Sequence, residues 1–109
     1  MTLTDVKTAL LSVSTRVYRY TAPATPTFPY IVWAEDMESD NLSGDGRKLG
    51  KVIEGTIDLF SKVADDAYIQ AIESALNNAE IGYRLNSTQY EPDTKIIHTE
   101  WVFDIEMEV

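Results

Sequence analysis

The C-terminal segment of the chain, residues 95–108, carries two alternating sets of side chains. Successive side chains of a β-strand point to opposite faces, so this alternation predicts a long strand with one face covered by the core. Covering on one face only is typical of antiparallel sheets. The covered set is Ile97, Thr99, Trp101, Phe103, Ile105 and Met107, and the opposite set is Ile96, His98, Glu100, Val102, Asp104, Glu106 and Glu108.

Two other segments have the periodicity of amphipathic helices. The first follows Thr4, which can cap it, and the second is predicted over residues 64–79, with Asp65 or Asp66 near its start. The predicted buried stripes are Val6, Ala9, Leu10 and Val13 in the first helix and Tyr68, Ile69, Ile72, Ala75, Leu76 and Ala79 in the second.

Four more segments have the residue types of strands: 16–20, 30–34, 51–61 and 83–90. The resulting order is α-β-β-β-α-β-β, which predicts an α+β fold, an antiparallel sheet with two helices packed on one face. With 109 residues the chain suits a single domain, residues 1–109. The predicted core is Ile31, Val32, Trp33, Ile57, Leu59, Ile69, Ile72, Leu76, Trp101, Phe103 and Ile105.

Residues 36–50 are predicted to form a mobile loop between two of these strands. The segment is acidic at first and then rich in glycine, with few apolar anchors. We expect it to become ordered on assembly, because long loops are often functional. Its candidate contacts are the aliphatic Leu42 and Leu49 and the basic Arg47, Lys48 and Lys51.

The charge of the chain restricts its partners. Its formal net charge of −9, from 18 Asp and Glu against 9 Lys and Arg, disfavours wrapping around nucleic acid, which needs clustered basic side chains. The absence of cysteine excludes disulfides and thiolate metal sites. Neither a signal peptide nor an apolar run of membrane-spanning length is visible. We therefore expect no sequence-specific nucleic-acid binding and no membrane association.

No segment matches a catalytic signature. The one histidine, His98, is predicted to be a surface or interface residue. The glycine-rich run at 44–51 lacks the glycine spacing and the Ser or Thr of a phosphate loop, and it leads into a strand. Residues 36–40 alternate oxygen ligands but lack the glycine and the closing glutamate of a calcium loop. We predict that the chain is not an enzyme and has no catalytic residue, cofactor or metal.

The order of short apolar phrases resembles that of a known family. Residues 28–35 read Phe-Pro-Tyr-Ile-Val-Trp-Ala-Glu, an acidic glycine-rich segment follows, and residues 58–62, Asp-Leu-Phe-Ser-Lys, precede an amphipathic helix. Over nearly its whole length the chain resembles the tail-completion, or tail-terminator, proteins of long-tailed bacteriophages and prophages. The resemblance implies a subunit of a ring, usually of six copies, that caps the tail tube. The major tail protein and the head connector proteins would be its partners, in a virion tail assembled in the bacterial cytoplasm.

Two alternatives stay open beside this interpretation. One is another part of the particle, a head–tail connector, neck or minor tail protein. The other belongs to a different class, a small acidic binding or inhibitor module that would bind a basic partner. Gene neighbours that encode a major tail protein and connector proteins would distinguish the particle proteins from the inhibitor.

The acidity of the chain has a functional and a general explanation. In a ring, DNA would pass through the central hole, and an acidic lining would repel the phosphates and let the duplex slide. The basic Arg47, Lys48 and Lys51 are expected off this channel, near a neighbouring subunit or partner. The general explanation is that the acids aid solubility alone. The acids predicted to line the channel are Glu35, Asp36, Glu38, Asp40, Glu100, Asp104 and Glu106.

Overall fold

The helices and strands of the fold follow the predicted order. The computed structural model describes residues 1–44, 46–64 and 66–108, with the backbone alone at residues 41–43. The helices are α1 (Leu3–Leu11) and α2 (Ala67–Asn78). The strands are β1 (Val17–Arg19), β2 (Tyr30–Gly44), β3 (Arg47–Ser61), β4 (Gly82–Glu91) and β5 (Ile96–Glu108).

The strands form one five-stranded sheet in the order β1-β2-β3-β5-β4. All neighbouring strands are antiparallel except β1, which runs parallel to β2. Parallel pairing requires the chain to return to the same end of the sheet, and the proline-rich residues 20–29 make that return. The predicted α+β fold and its order are confirmed, with β1 as the one departure from antiparallel pairing.

The core lies between the two helices and one face of the sheet. Leu10 of α1 and Ile72 of α2 are fully buried against the aromatic centre, where the rings of Trp33 and Phe103 lie 6.3 Å apart. Burying such a side chain stabilises the fold by roughly 1.5–3 kcal/mol. Val32 is only half-buried because it points to the opposite face of β2, and Ile69 is half-buried as well. The other predicted core residues are buried: Ile31, Ile57, Leu59, Leu76, Trp101 and Ile105.

Both helices begin where an N-terminal polar residue satisfies free backbone groups. The N-cap of α1 is Thr2 instead of the expected Thr4, and the Thr2 N–H donates to Asp5 Oδ2 at 2.8 Å. Helix α2 starts later than predicted, after Asp66, whose Oδ1 accepts from the Tyr68 N–H at 2.8 Å. In the described part of the chain, no helix is long and apolar enough to cross a bilayer.

The prediction of a loop over residues 36–50 is wrong in its secondary structure. Strands β2 and β3 stay paired through this segment, up to Gly44 opposite Arg47, and form a hairpin arm, residues 35–50. The β2–β3 pairing has three register shifts. The pairing uses backbone groups that every residue carries, so a polar sequence does not prevent it. Asp45 lies outside the described residues, and the mobility of the arm stays a prediction.

Candidate assembly surfaces

The face of the sheet opposite the helices, called here the open face, carries rows of carboxylates. Directly opposite residues of neighbouring antiparallel strands place their side chains on the same face. The register therefore puts Asp58 beside Glu100 and Glu54 beside Asp104. Glu106 continues the series two residues along β5. Like charges in opposite positions destabilise a sheet, so the open face keeps these acids at a cost in folding stability.

The pKa values of two acids reflect this crowding. Burial raises the pKa of Asp58 above its ordinary value, the hydrogen bond with His98 opposes the rise, and the charges of Glu100 and Asp36 add to it. Burial, followed by the charges of Glu100 and Glu54, raises the pKa of Asp36. Asp36 therefore belongs electrostatically to the open face, although it lies at a register shift in β2.

A row of stacked rings crosses the open face beside the acids. The ring of Phe60 stacks on Tyr30 at 4.9 Å and on His98 at 4.4 Å. His98 Nε2 lies 2.6 Å from Asp58 Oδ1. The imidazole therefore contacts Phe60 with its ring face and Asp58 with its Nε2 edge. With the proline-rich segment 21–26, these residues line a shallow groove of about 560 Å³.

Sequence reasoning missed this row, although its signal was partly visible. Tyr30, Phe60 and His98 each occupy an outward position in the alternation of their own strands. Their contact requires β3 to lie between β2 and β5, and no local pattern in the sequence specifies that strand order. His98 is half-buried and hydrogen-bonded on the open face, at the position that the alternation of β5 indicated.

The structure divides the predicted channel acids between two kinds of environment. Glu100, Asp104 and Glu106 lie along the open face, and Asp36 interacts with Glu100. Asp40 lies opposite Val52, further out along the hairpin arm. Together with Glu54 and Asp58, these acids form one acidic band.

Glu35 and Glu38 are instead held by ion pairs. Glu35 accepts from the Arg19 guanidinium and from the Tyr20 hydroxyl, the latter at 2.7 Å. Burial alone would raise the pKa of Glu35, but these hydrogen bonds outweigh it and lower the pKa. Glu38 pairs with Lys48 across the arm. Their charges are therefore compensated locally, unlike the rows of like charges on the open face.

Four of the five candidate assembly contacts lie in the hairpin arm, and the fifth, Lys51, follows it directly in β3. Arg47, Lys48 and Leu49 are exposed, and Leu49 keeps 57% of its surface in water although it is aliphatic. Lys51 is half-buried opposite Asn41. The backbone of Leu42 pairs with Gly50, while its side chain lies outside the described residues.

The family relationship of the chain rests on a match along almost its entire length. The family model described as "Tail completion protein gp17" matches residues 3–108. The chain belongs to this tail-completion family. The match runs from α1 to β5, so the open face and the hairpin arm both fall inside it. The resemblance found in the sequence is confirmed, and this tail-completion protein is a structural component of a phage-type tail.

The same fold occurs in a solved particle. A chain of the structure titled "Virion of native gene transfer agent (GTA) particle" matches with a TM-score of 0.65 and 20% sequence identity. The match covers 95% of this chain and 92% of that chain. At this identity the likeness establishes the shared fold. No curated protein matches the sequence.

Proposed function

We propose that this tail-completion protein forms a ring of six copies that caps the tail tube and joins it to the head connector. The family match over residues 3–108 carries the proposal. The major tail protein and the connector proteins are its partners in the virion, after assembly in the bacterial cytoplasm. The role is structural, and no catalytic step is assigned to any residue.

The open face would line the central channel of this ring. Helices α1 and α2 cover the face of the sheet opposite the open face. If the sheets form the inner wall of the ring, the acidic open face is the one that can face the channel. The cross-strand pairs Asp58–Glu100 and Glu54–Asp104 support this role, because acids placed for solubility alone need not face each other. The repulsion would keep DNA phosphates from adhering to the wall during passage.

The hairpin arm would carry the contacts to a neighbouring subunit or partner. Its tip lies beyond the end of β5, whose last pair with β3 is Glu108 opposite Gly50. The exposed Arg47 and Leu49 offer a cationic and an apolar contact on an otherwise acidic molecule. Lys51, Lys48 and Leu42 would take part in the same interface.

Removal of the chain from its particle tests the joining role. In a phage or transfer-particle system that encodes the protein, deletion of its gene should leave tails and heads unjoined in electron micrographs. Supplying the wild-type chain should restore joined particles, and Trp101→Ala, which opens a cavity in the core, serves as the unfolded control. Joined particles that lack the chain, or gold-labelled chain found away from the tail end, would refute the proposal.

A further inference from the structure

Both edges of the sheet offer unpaired backbone groups over about ten residues. Strand β1 covers β2 only from Ile31 to Trp33, and its last bond runs from the Tyr20 N–H to the Trp33 carbonyl. From residue 35 to residue 44, β2 pairs on one side only, with β3, as far as the described residues extend. At the other edge of the sheet, β4 pairs only with β5 among the residues that the structure describes.

The β4 edge has few of the features that keep exposed edges from pairing. Proteins protect such edges with lysine, proline, bulges or very short strands. Strand β4 has neither lysine nor proline, and its charged residues are Arg84 and Glu91. Its one protective feature is a register shift between Leu85 and Ser87, and its Leu85 and Tyr90 side chains are 55% and 58% exposed. A weakly protected edge of ten residues is typical of a strand that receives a partner strand.

We infer that β4 of one subunit pairs with the 35–44 edge of β2 in the next copy of this chain, so that the five-stranded sheets join into one continuous wall. This inference rests on the ring proposed above. Successive antiparallel pairings from β2 to β4 make these two strands run in opposite directions. If two neighbouring copies have the same orientation along the ring axis, β4 of one copy is therefore antiparallel to β2 of the next.

The charges of the two edges are unequal. The 35–44 edge of β2 carries the acids Glu35, Asp36, Glu38 and Asp40, whereas β4 carries one cation, Arg84, and one anion, Glu91. Pairing of β2 with a second β2 would bring the acids together, and like charges across strands are unfavourable. The charges thus favour a head-to-tail contact between unlike edges over a contact between two β2 edges.

The positions of the two edges also suit a closed ring. Ser87, near the middle of β4, is level with Val32 through the pairs Ser87–Glu100, Glu100–Asp58 and Asp58–Val32. The middle of the free β2 edge lies roughly seven residues further along, which is ~23 Å at about 3.3 Å per residue. The four strands from β2 to β4 span a width of ~19 Å at about 4.8 Å per strand. An offset of ~23 Å along the strands over this width tilts them relative to the ring axis, as in closed barrels.

Cysteine cross-linking in assembled particles tests the contact. The chain has no cysteine, so every cross-link reports the introduced pair. Thr88→Cys on β4 is combined in turn with Glu35→Cys or Glu38→Cys on β2, which the register places on the same face of the sheet as Thr88, and purified particles are oxidised. Antiparallel partners have Cα atoms about 4.5–5.5 Å apart, within disulfide range. The control pairs Thr88→Cys with Asp93→Cys, in the exposed turn after β4.

The expected result is a ladder of multiples of the chain mass for at least one β2 position, which collapses on reduction. The control pair and each single variant should stay at monomer mass. A dimer from Thr88→Cys alone would show a two-fold contact between β4 edges and would overturn the inference. So would the absence of a ladder in particles whose tail ends carry the chain. If the chain is missing from the tail ends, the proposed function itself fails.

Discussion

At the scale of single residues, Asp58 is the acid of the open face with the most defined surroundings. His98 Nε2 lies 2.6 Å from its Oδ1, and Glu100 faces it across the strands. Burial raises its pKa, which means that folding penalises the charged carboxylate. A carboxyl of this kind contributes its full stability below its ordinary pKa and loses that contribution as pH rises through the folded pKa.

Replacing Asp58 with Asn should therefore change the stability in a pH-dependent way. Relative to the same change at about pH 4, the variant should gain up to about 1 kcal/mol in free energy of unfolding at about pH 7, because the amide has no charge to bury and no like-charge repulsion with Glu100. Urea unfolding at the two pH values measures this difference. Asp93→Asn, with the same charge change in an exposed turn, should show none. An Asp58→Asn effect that is equal at both pH values contradicts the raised pKa.

Glu73 shows what a periodic pattern leaves undetermined at single positions. The helical pattern places it on the water-facing side of α2, and Trp101 was predicted to be buried. In the structure the Trp101 Nε1–H donates to Glu73 Oε2 at 2.9 Å. A buried indole needs a hydrogen-bond acceptor, but which residue provides it depends on how α2 lies on the sheet. That packing is not encoded within either segment.

At the scale of elements, α2 and β5 were predicted well and the hairpin arm was not. The burial pattern of α2 and β5 repeats within each element, so a single segment reveals its own type. The arm has no such pattern, and strand formation in it depends on the partner strand. The same limit applies to the candidate site. Glu100, Asp104 and Glu106 could be predicted from β5 alone, whereas Glu54 and Asp58 join them only through the register of β3.

Shortening the hairpin arm should separate its role in folding from its role in assembly. Deleting residues 41–47 should change the free energy of unfolding by less than about 0.5 kcal/mol, because β5 and the core contact β3 only from Gly50 onward. Head–tail joining should nevertheless be lost. Urea unfolding and electron microscopy of complemented particles measure the two effects.

Substituting the charges at the tip provides the matched control for this deletion. Arg47→Gln with Lys48→Gln keeps the length of the arm and removes two of its positive charges. Joining that survives this double substitution but not the deletion assigns the contact to the arm's length or to the other deleted residues, Leu42 among them. Normal joining by the deletion variant would show that residues 41–47 take no part in assembly.

At the scale of the whole molecule, the fold separates an apolar layer from an acidic one. Helices α1 and α2 and the core occupy one face of the sheet, and the acids of the open face occupy the other. Composition alone does not reveal that these acids share one surface of the sheet. A long-range effect on a passing polyanion depends on this arrangement and on salt.

Reversing charges on the open face should slow the passage of DNA. Particles with Asp104→Lys and Glu106→Lys should assemble but eject DNA more slowly, most clearly at low salt, where the screening length grows from about 8 Å to about 30 Å. Ejection kinetics at two ionic strengths measure the effect. The control, Asp5→Lys with Asp93→Lys, makes the same charge change in α1 and in the β4–β5 turn, away from the open face, and should eject normally. Equal kinetics for both variants would leave solubility as the explanation of the acids.

The two unlike edges of the sheet have a consequence for copy number. Each subunit added through β4 and β2 presents a fresh β2 edge at one end and a fresh β4 edge at the other. An assembly built through such head-to-tail contacts always has free edges at its two ends, and it stops growing only when the first and last subunits pair and close a ring. The angle between neighbours therefore sets how many copies fit. Because bulges increase local twist, the register shift between Glu35 and Met37 would make that part of β2 a determinant of the size of the proposed ring. A change there would convert a closed ring into one of another size or into an open helical filament.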